Sequence, residues 1–225
     1  MNRRDLLSSG LIFTATAVGL TVAIYHNARP LLDVLLPLYR AELQLLMPAF
    51  HIDKLDWRID RGETVVALTA TLTKYRIVLD RVIPVGVSIS ASTLAAHAWV
   101  HPVLMLALVA SWPGIRLMHR PWAILLALPF ALLGMLLNVP LMLWGAVEDM
   151  LYWQVDHARV AESLGSRVQH FLDAGGRYAL AFVFALFVIV LFRVIVPAST
   201  APAALPSGDD SKKRPRRSLR DRVHE

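Results

Sequence analysis

The chain has 225 residues, of which 56% are apolar and only 18% charged, and a net charge of +6. Soluble domains carry nearer a quarter charged residues, so this excess, gathered in long uncharged runs, points to lipid. The last 14 residues hold seven of the 23 basic side chains, so the basicity is a local tail and not a nucleic-acid-binding face. The lack of cysteine excludes disulfides, thiolate metal sites and a cysteine nucleophile.

A basic start, residues 1–5, precedes twenty uncharged residues, Leu6 to Tyr25, enough to cross a hydrocarbon core of about 30 Å. Ala15, Gly19 and Ala23 fall at i, i+4 and i+8, a stripe that suits close helix packing or simply fills a membrane helix. Arg3-Arg4 before Leu6-Leu7 resembles a twin-arginine export signal, but no small-residue cleavage site follows, which favours an uncleaved anchor. Residues 30–50 are apolar yet carry Asp33, Arg40, Glu42 and three prolines. That pattern predicts an interfacial helix lying under the next domain, kinked at Pro37 and ended by Pro48.

Residues 51–92 change character. Ile52, Leu55, Trp57 and Ile59 sit among charges, and Arg61-Gly62 is a turn candidate. Val66, Leu68, Ala70 and Leu72 recur with period two among Thr and Ala. With Tyr75 to Ile83 and Val87 to Ser90 as further strand candidates, the segment predicts a small antiparallel sheet of three or four strands. Its core is thin, so it leans on the helices or on a partner.

Residues 99–115 form a short second span and 121–146 a long third, interrupted by Pro129, Asn138 and Pro140. Residues 147–176 are polar and partly helical, 178–196 form a fourth span, and 197–225 have a composition that builds no core, predicting disorder. The expected fold is therefore membrane α-helical: four transmembrane helices with a small extracytoplasmic antiparallel β insertion after the first. Lys and Arg in short loops stay cytoplasmic. Arg3, Arg4, Arg116, Arg120 and the basic tail all fall on one side of this scheme, which puts both termini in the cytoplasm of a bacterial inner membrane. Tyr25, Trp99, Trp144 and Tyr178 then end spans on the outer side, and Trp112 and Trp122 on the inner. Arg193 snorkels near the inner end of the fourth span.

This topology gathers polar residues at the outer face. His97 and His101 are spaced i, i+4, Glu148 and Asp149 lie just past the third span, His157 is in the loop, and Arg177 opens the fourth span. Such histidines can chelate a divalent metal with a carboxylate from another helix. Against this, HAWVH lacks the glutamate of the metalloprotease motif, and Pro102 disfavours a regular helix through His101. The plainer reading has the histidines bonding at headgroup level, with Arg177 paired to Glu148 or Asp149. Asn138, mid-span, reads as an interhelical hydrogen-bonder. Ser88, Ser90, Ser92 and Thr93 suit a strand edge or a helix cap, since no nucleophile elbow is present. The basic tail suits a topology determinant attracted to anionic lipid, or else a docking peptide. No cofactor and no small-molecule substrate are inferred.

Three stretches, VGVSISASTLAAHAWVHPVLMLALVASWPG, LALPFALLGMLLNVPLMLWGAVEDML and FLDAGGRYALAF, cover about a third of the chain. In order and character they resemble the small membrane proteins associated with exosortases, particularly the exosortase H-associated group. The resemblance implies an inner-membrane accessory near an enzyme that processes proteins bearing C-terminal sorting signals. It carries over no catalytic residue. The expected partners are membrane lipids and another membrane protein. Two other readings stay open: a structural subunit of another envelope machine for export or polysaccharide, and a membrane metalloenzyme using the outer His and carboxylate cluster.

Overall fold

The structure is a computed structural model and describes residues 3–156 and 163–196. It is mostly helical, with a small antiparallel sheet between the first and second helices. Three helical stretches, Leu6–Leu46, Leu117–Val155 and Leu164–Ile195, are long and apolar enough to cross a membrane.

Helix α1 runs unbroken from Arg3 to Leu46, 44 residues or about 66 Å. The separate interfacial helix expected over 30–50 is thus, as far as Leu46, the C-terminal part of α1, and no break separates it from 6–25. Pro30 and Pro37 each withdraw one backbone donor, which ordinarily interrupts a helix. Here Leu32, Leu35, Tyr39 and Leu43, three or four residues apart, are buried along one face, and that packing holds the helix through both prolines. The helix stops just short of Met47, whose backbone is pushed from helical angles by Pro48.

Strand β1 (Phe50–Asp60) turns back along α1. Arg61 and Gly62, with φ of 49° and 85°, make a two-residue turn into β2 (Glu63–Leu72). Next come β3 (Arg76–Val78), β4 (Arg81–Ile83) and β5 (Ser88–Leu94). The strand order β1-β2-β5 makes one sheet, while β3 and β4 pair only with each other. The single strand expected over 75–83 is therefore a hairpin. Its turn residues, Leu79 and Asp80, both take positive φ, and without glycine that turn is hidden in the sequence. In β5 the side chains alternate: Ile89, Ala91 and Thr93 are buried, while Ser88, Ser90 and Ser92 are exposed. One face of the sheet therefore packs on α1 and the other presents Ser and Thr to solvent. Side chains of α1 also close part of the β1 edge. Arg40 Nη2 donates to the Ile52 carbonyl at 2.7 Å and Gln44 Nε2 to the Phe50 carbonyl at 3.0 Å. Trp57 Nε1 donates to Asp33 Oδ1 at 2.8 Å beneath the Arg29 guanidinium.

Helix α2 (Ala96–Ser111) follows at once and runs regularly through His101 and Pro102, contrary to the expected irregularity there. It begins and ends earlier than the 99–115 expected. A 3-10 turn (Leu117–His119) leads to α3 (Arg120–Val155), whose 36 residues continue well past the expected end at 146. Helix α4 (Leu164–Phe171) returns along α3, and a turn kinked at Gly175 (Leu172–Gly176) joins it to α5 (Arg177–Ile195). His157 and the tail 197–225 lie outside the described residues.

Two cores result. In the one beneath the sheet, Leu35, Tyr39 and Leu43 of α1 meet Val66, Leu68 and Leu72 of β2 and Val139, Leu143 and Leu151 of α3. In the one away from the sheet, Ala123, Ala127 and Ala131 of α3 meet Met105 and Val109 of α2 and Ala181, Ala185 and Val188 of α5. Alanine at i, i+4 and i+8 lets helix backbones approach closely. The small-residue stripe that the fold packs inward is thus the one on α3. Ala15, Gly19 and Ala23 are exposed, and nothing lies within 4 Å of where a Cβ on Gly19 would stand.

Candidate functional site

Polar side chains are spread along the half of α3 nearer the sheet, from Asn138 to Asp149, each with its own partners. They fall into three groups along α3.

The first is an ion pair. Arg76 of β3 reaches Glu148 through two parallel bonds, Nη1 to Oε1 at 2.6 Å and Nη2 to Oε2 at 2.8 Å. Glu148 is 4% exposed, and an unpaired carboxylate buried to that degree would cost several kcal/mol, on the order of the penalty for any buried ion. A two-pronged guanidinium offsets much of it. The pair pins the β3–β4 hairpin to α3.

The second group lies between α3 and α4. A Cβ on Gly145 would collide with the Gly165 carbonyl at 2.6 Å and with Gln169, so the absence of a side chain sets this close crossing. Ser163 caps α4 by accepting from the Ser166 amide at 3.2 Å. His170 Nε2 stands 3.4 Å from Asp149 Oδ2. Asp149 Oδ1, Ser166 Oγ and Gln169 Oε1 are buried without a hydrogen-bond partner among the described residues.

The third group centres on Arg177, which is 5% exposed. Its expected pairing with Glu148 or Asp149 does not form. Arg177 Nη2 instead donates to Asp173 Oδ1 at 2.6 Å, and Nε to the Leu172 carbonyl at 3.0 Å. Sulfur of Met142 lies 3.9 Å from the same Nη2. Two physical reasons account for this. Glu148 lies six residues beyond Met142, about 9 Å along α3, and Arg76 already occupies it. The chain also kinks at Gly175, with φ of 106°, and Asp173 and Arg177 meet across that kink.

The two histidines of α2 serve different surroundings. His97 Nδ1 lies 2.9 Å from Thr93 Oγ1, and the charges facing it are Arg177 and Asp173. Asn138 Nδ2 donates to the His97 carbonyl at 2.6 Å and so joins α3 to α2. His101 is 3% exposed and rests in a notch that Gly134 leaves open; a Cβ there would overlap the imidazole. Phe184 meets the ring edge-on at 5.2 Å. Neither ring nitrogen of His101 has a hydrogen bond of good geometry, and the Leu180 backbone is the polar group beside it.

His97, His101, Glu148 and Asp149 are therefore not brought together. Among the described residues no three or more His, Asp or Glu side chains are placed to hold a metal ion. Ser90 bonds Thr69 at 3.3 Å across the sheet, and Ser88 and Ser92 lie on its exposed face. Thr93 with His97 forms a hydroxyl–imidazole contact, but Thr93 is 7% exposed and the contact spans only the junction of β5 and α2. Together these contacts tie hairpin, sheet and four helices into one frame. Sequence reasoning missed Arg76, whose partner lies 72 residues away. It also missed Asp173, although its i, i+4 spacing to Arg177 was readable. No family model matches the chain, and neither a curated protein nor a solved structure shows significant similarity to it.

Proposed function

We propose that the chain is a non-catalytic, multi-pass inner-membrane accessory protein of an exosortase-like protein-sorting system. In this reading α1, α2, α3 and α5 cross the bilayer, both termini are cytoplasmic, and the sheet stands on the outer side. Helix α2, at 16 residues, spans only about 24 Å. Its packing between α1, α3 and α5, with Trp99 and Trp112 at its ends, supports a crossing alongside them.

The observation that carries the reading is the mounting of the β3–β4 hairpin. The half-buried Arg76, bonded to the buried Glu148, holds it against α3. Its outward row, Tyr75, Ile77, Val82 and Val85, is 58–69% exposed. An apolar row fixed in place on a rigid frame suits contact with another protein, here the membrane transpeptidase of the system. A photo-crosslinker at Ile77 of the full-length chain should give an adduct with that transpeptidase, and one at Ser90, on the Ser/Thr face of the sheet, should not. Deleting the protein should slow processing of substrates with C-terminal sorting signals. Normal processing without the protein, together with no adduct at Ile77, refutes the proposal. An adduct with a polysaccharide or export subunit assigns the chain to another envelope machine.

A further inference from the structure

We infer that the end of the bundle opposite the sheet carries a seat for the phosphate headgroup of an anionic phospholipid, built by Arg116, Arg120 and Arg193. The three arginines come from three places: the α2–α3 connection, the first residue of α3 and the last turn of α5. The guanidinium of Arg193 fills the space beside Gly114 where a Cβ would stand. Arg120 Nε donates to the neighbouring Ile115 carbonyl at 3.4 Å, and Arg116 follows next in the chain. Three cations thus reach one tight turn.

Nothing in the adjoining sequence neutralises them. The chain has no acidic residue between Asp80 and Glu148, nor between Asp173 and Asp209. Among the described residues none of the three arginines forms an ion pair. Guanidinium groups crowded without a counter-charge repel one another, and a phosphate offers oxygens in the geometry they bind best. Arg193 therefore does more than snorkel outward: Gly114 admits it to the turn.

The surroundings select a lipid over a soluble anion. The cluster caps the apolar core formed by Val109, Ile115, Val188 and Phe192. Beside it Trp122, Leu117 and Met118 stand 65%, 75% and 86% exposed. Apolar side chains projecting next to arginines match the headgroup–acyl boundary, where one end of the surface is charged and the other greasy. The inference rests on the bundle crossing a bilayer and is independent of the sorting partner.

The test uses the full-length chain in detergent, with lipid retention read by native mass spectrometry against phosphatidylglycerol and phosphatidylcholine. Because the tail is itself basic, Lys212, Lys213, Arg214, Arg216 and Arg217 are changed to Gln in every sample. Phosphatidylglycerol should still be retained preferentially. Arg120→Gln and Arg193→Gln should each weaken it about fivefold, the effect of one basic residue near an anionic surface. Gly114→Ala keeps every charge but displaces the Arg193 guanidinium, so it should weaken retention like Arg193→Gln while the melting temperature reports the fold. Millimolar inorganic phosphate should leave the lipid bound. Equal retention of the two lipids overturns the inference, as does retention unchanged in the Arg120→Gln/Arg193→Gln double variant. Displacement of the lipid by inorganic phosphate overturns the lipid assignment in favour of a free-phosphate site.

Discussion

Arg76 and Arg177 are both buried or half-buried cations, yet their partners differ in kind. Glu148 is 4% exposed and its guanidinium partner comes from a distant hairpin, so losing Arg76 strands a carboxylate in the core. Arg76→Met should cost about 2–3 kcal/mol, toward the lower end for a broken buried pair because Arg76 keeps one side open to solvent. Replacing both, Arg76→Met with Glu148→Met, should recover most of that loss. The Asp173 side chain is 45% exposed, so the Arg177–Asp173 coupling should be only about 0.5 kcal/mol. Double-mutant cycles on thermal unfolding in detergent separate the two cases. Coupling between Arg177 and Glu148, in place of additive losses, would contradict the arrangement. Asp173 is readable as the i, i+4 neighbour of Arg177, but whether two residues flanking a Gly-Gly pair keep helical spacing is decided by the kink at Gly175.

Among the elements, α3 organises the molecule. Its lower half carries the alanine stripe that packs the bundle, and its upper half carries Asn138, Gly145, Glu148 and Asp149 to separate neighbours. At Gly145 even one methyl group has nowhere to go, because the obstacle is the Gly165 backbone as well as a side chain. Gly145→Ala should therefore destabilise by about 1–3 kcal/mol, the usual cost of overpacking. Gly19→Ala on exposed α1 should change stability little, since helix propensity favours Ala and nothing is struck. Melting of the two variants side by side checks this contrast; an equal loss in both would mean that α1 packs through its small stripe after all. In α1 the prolines and charges of 30–50 suggest a break that the helix does not make, and in α3 the charges at Glu148 and Asp149 suggest an end some nine residues before the helix stops. Both helices pass through prolines where one face is buried deeply enough to hold them.

For the whole molecule, the connectivity predicts a two-ended object. Helix α1 rises to the sheet, and β5 feeds α2 directly back down, so the sheet and the Leu117–His119 turn lie at opposite ends. Reporter fusions after Thr73 and Ser163 should be active outside, and fusions after Met118 and Ser207 should report the cytoplasm. An external signal from the 116–120 turn would refute four crossings. The basic turn and tail set this expectation through their Lys and Arg residues, with the tail side contributing seven from Lys212 to Arg222.

Uncharged runs longer than a bilayer is thick, the period-two pattern around Val66 and the Arg61-Gly62 turn were sufficient to read membrane helices and a small sheet from the chain alone. Each rests on local periodicity or composition, which neighbouring residues carry in themselves. The continuity of α1, the hairpin hidden at Leu79-Asp80, the Arg76–Glu148 pair and the dispersal of the histidines from the carboxylates were decided only in three dimensions. Helix continuity through proline depends on what the opposite surface buries, and an ion pair depends on which charges arrive at the same depth. Neither is written at any fixed spacing, so packing alone determined which polar residues became partners.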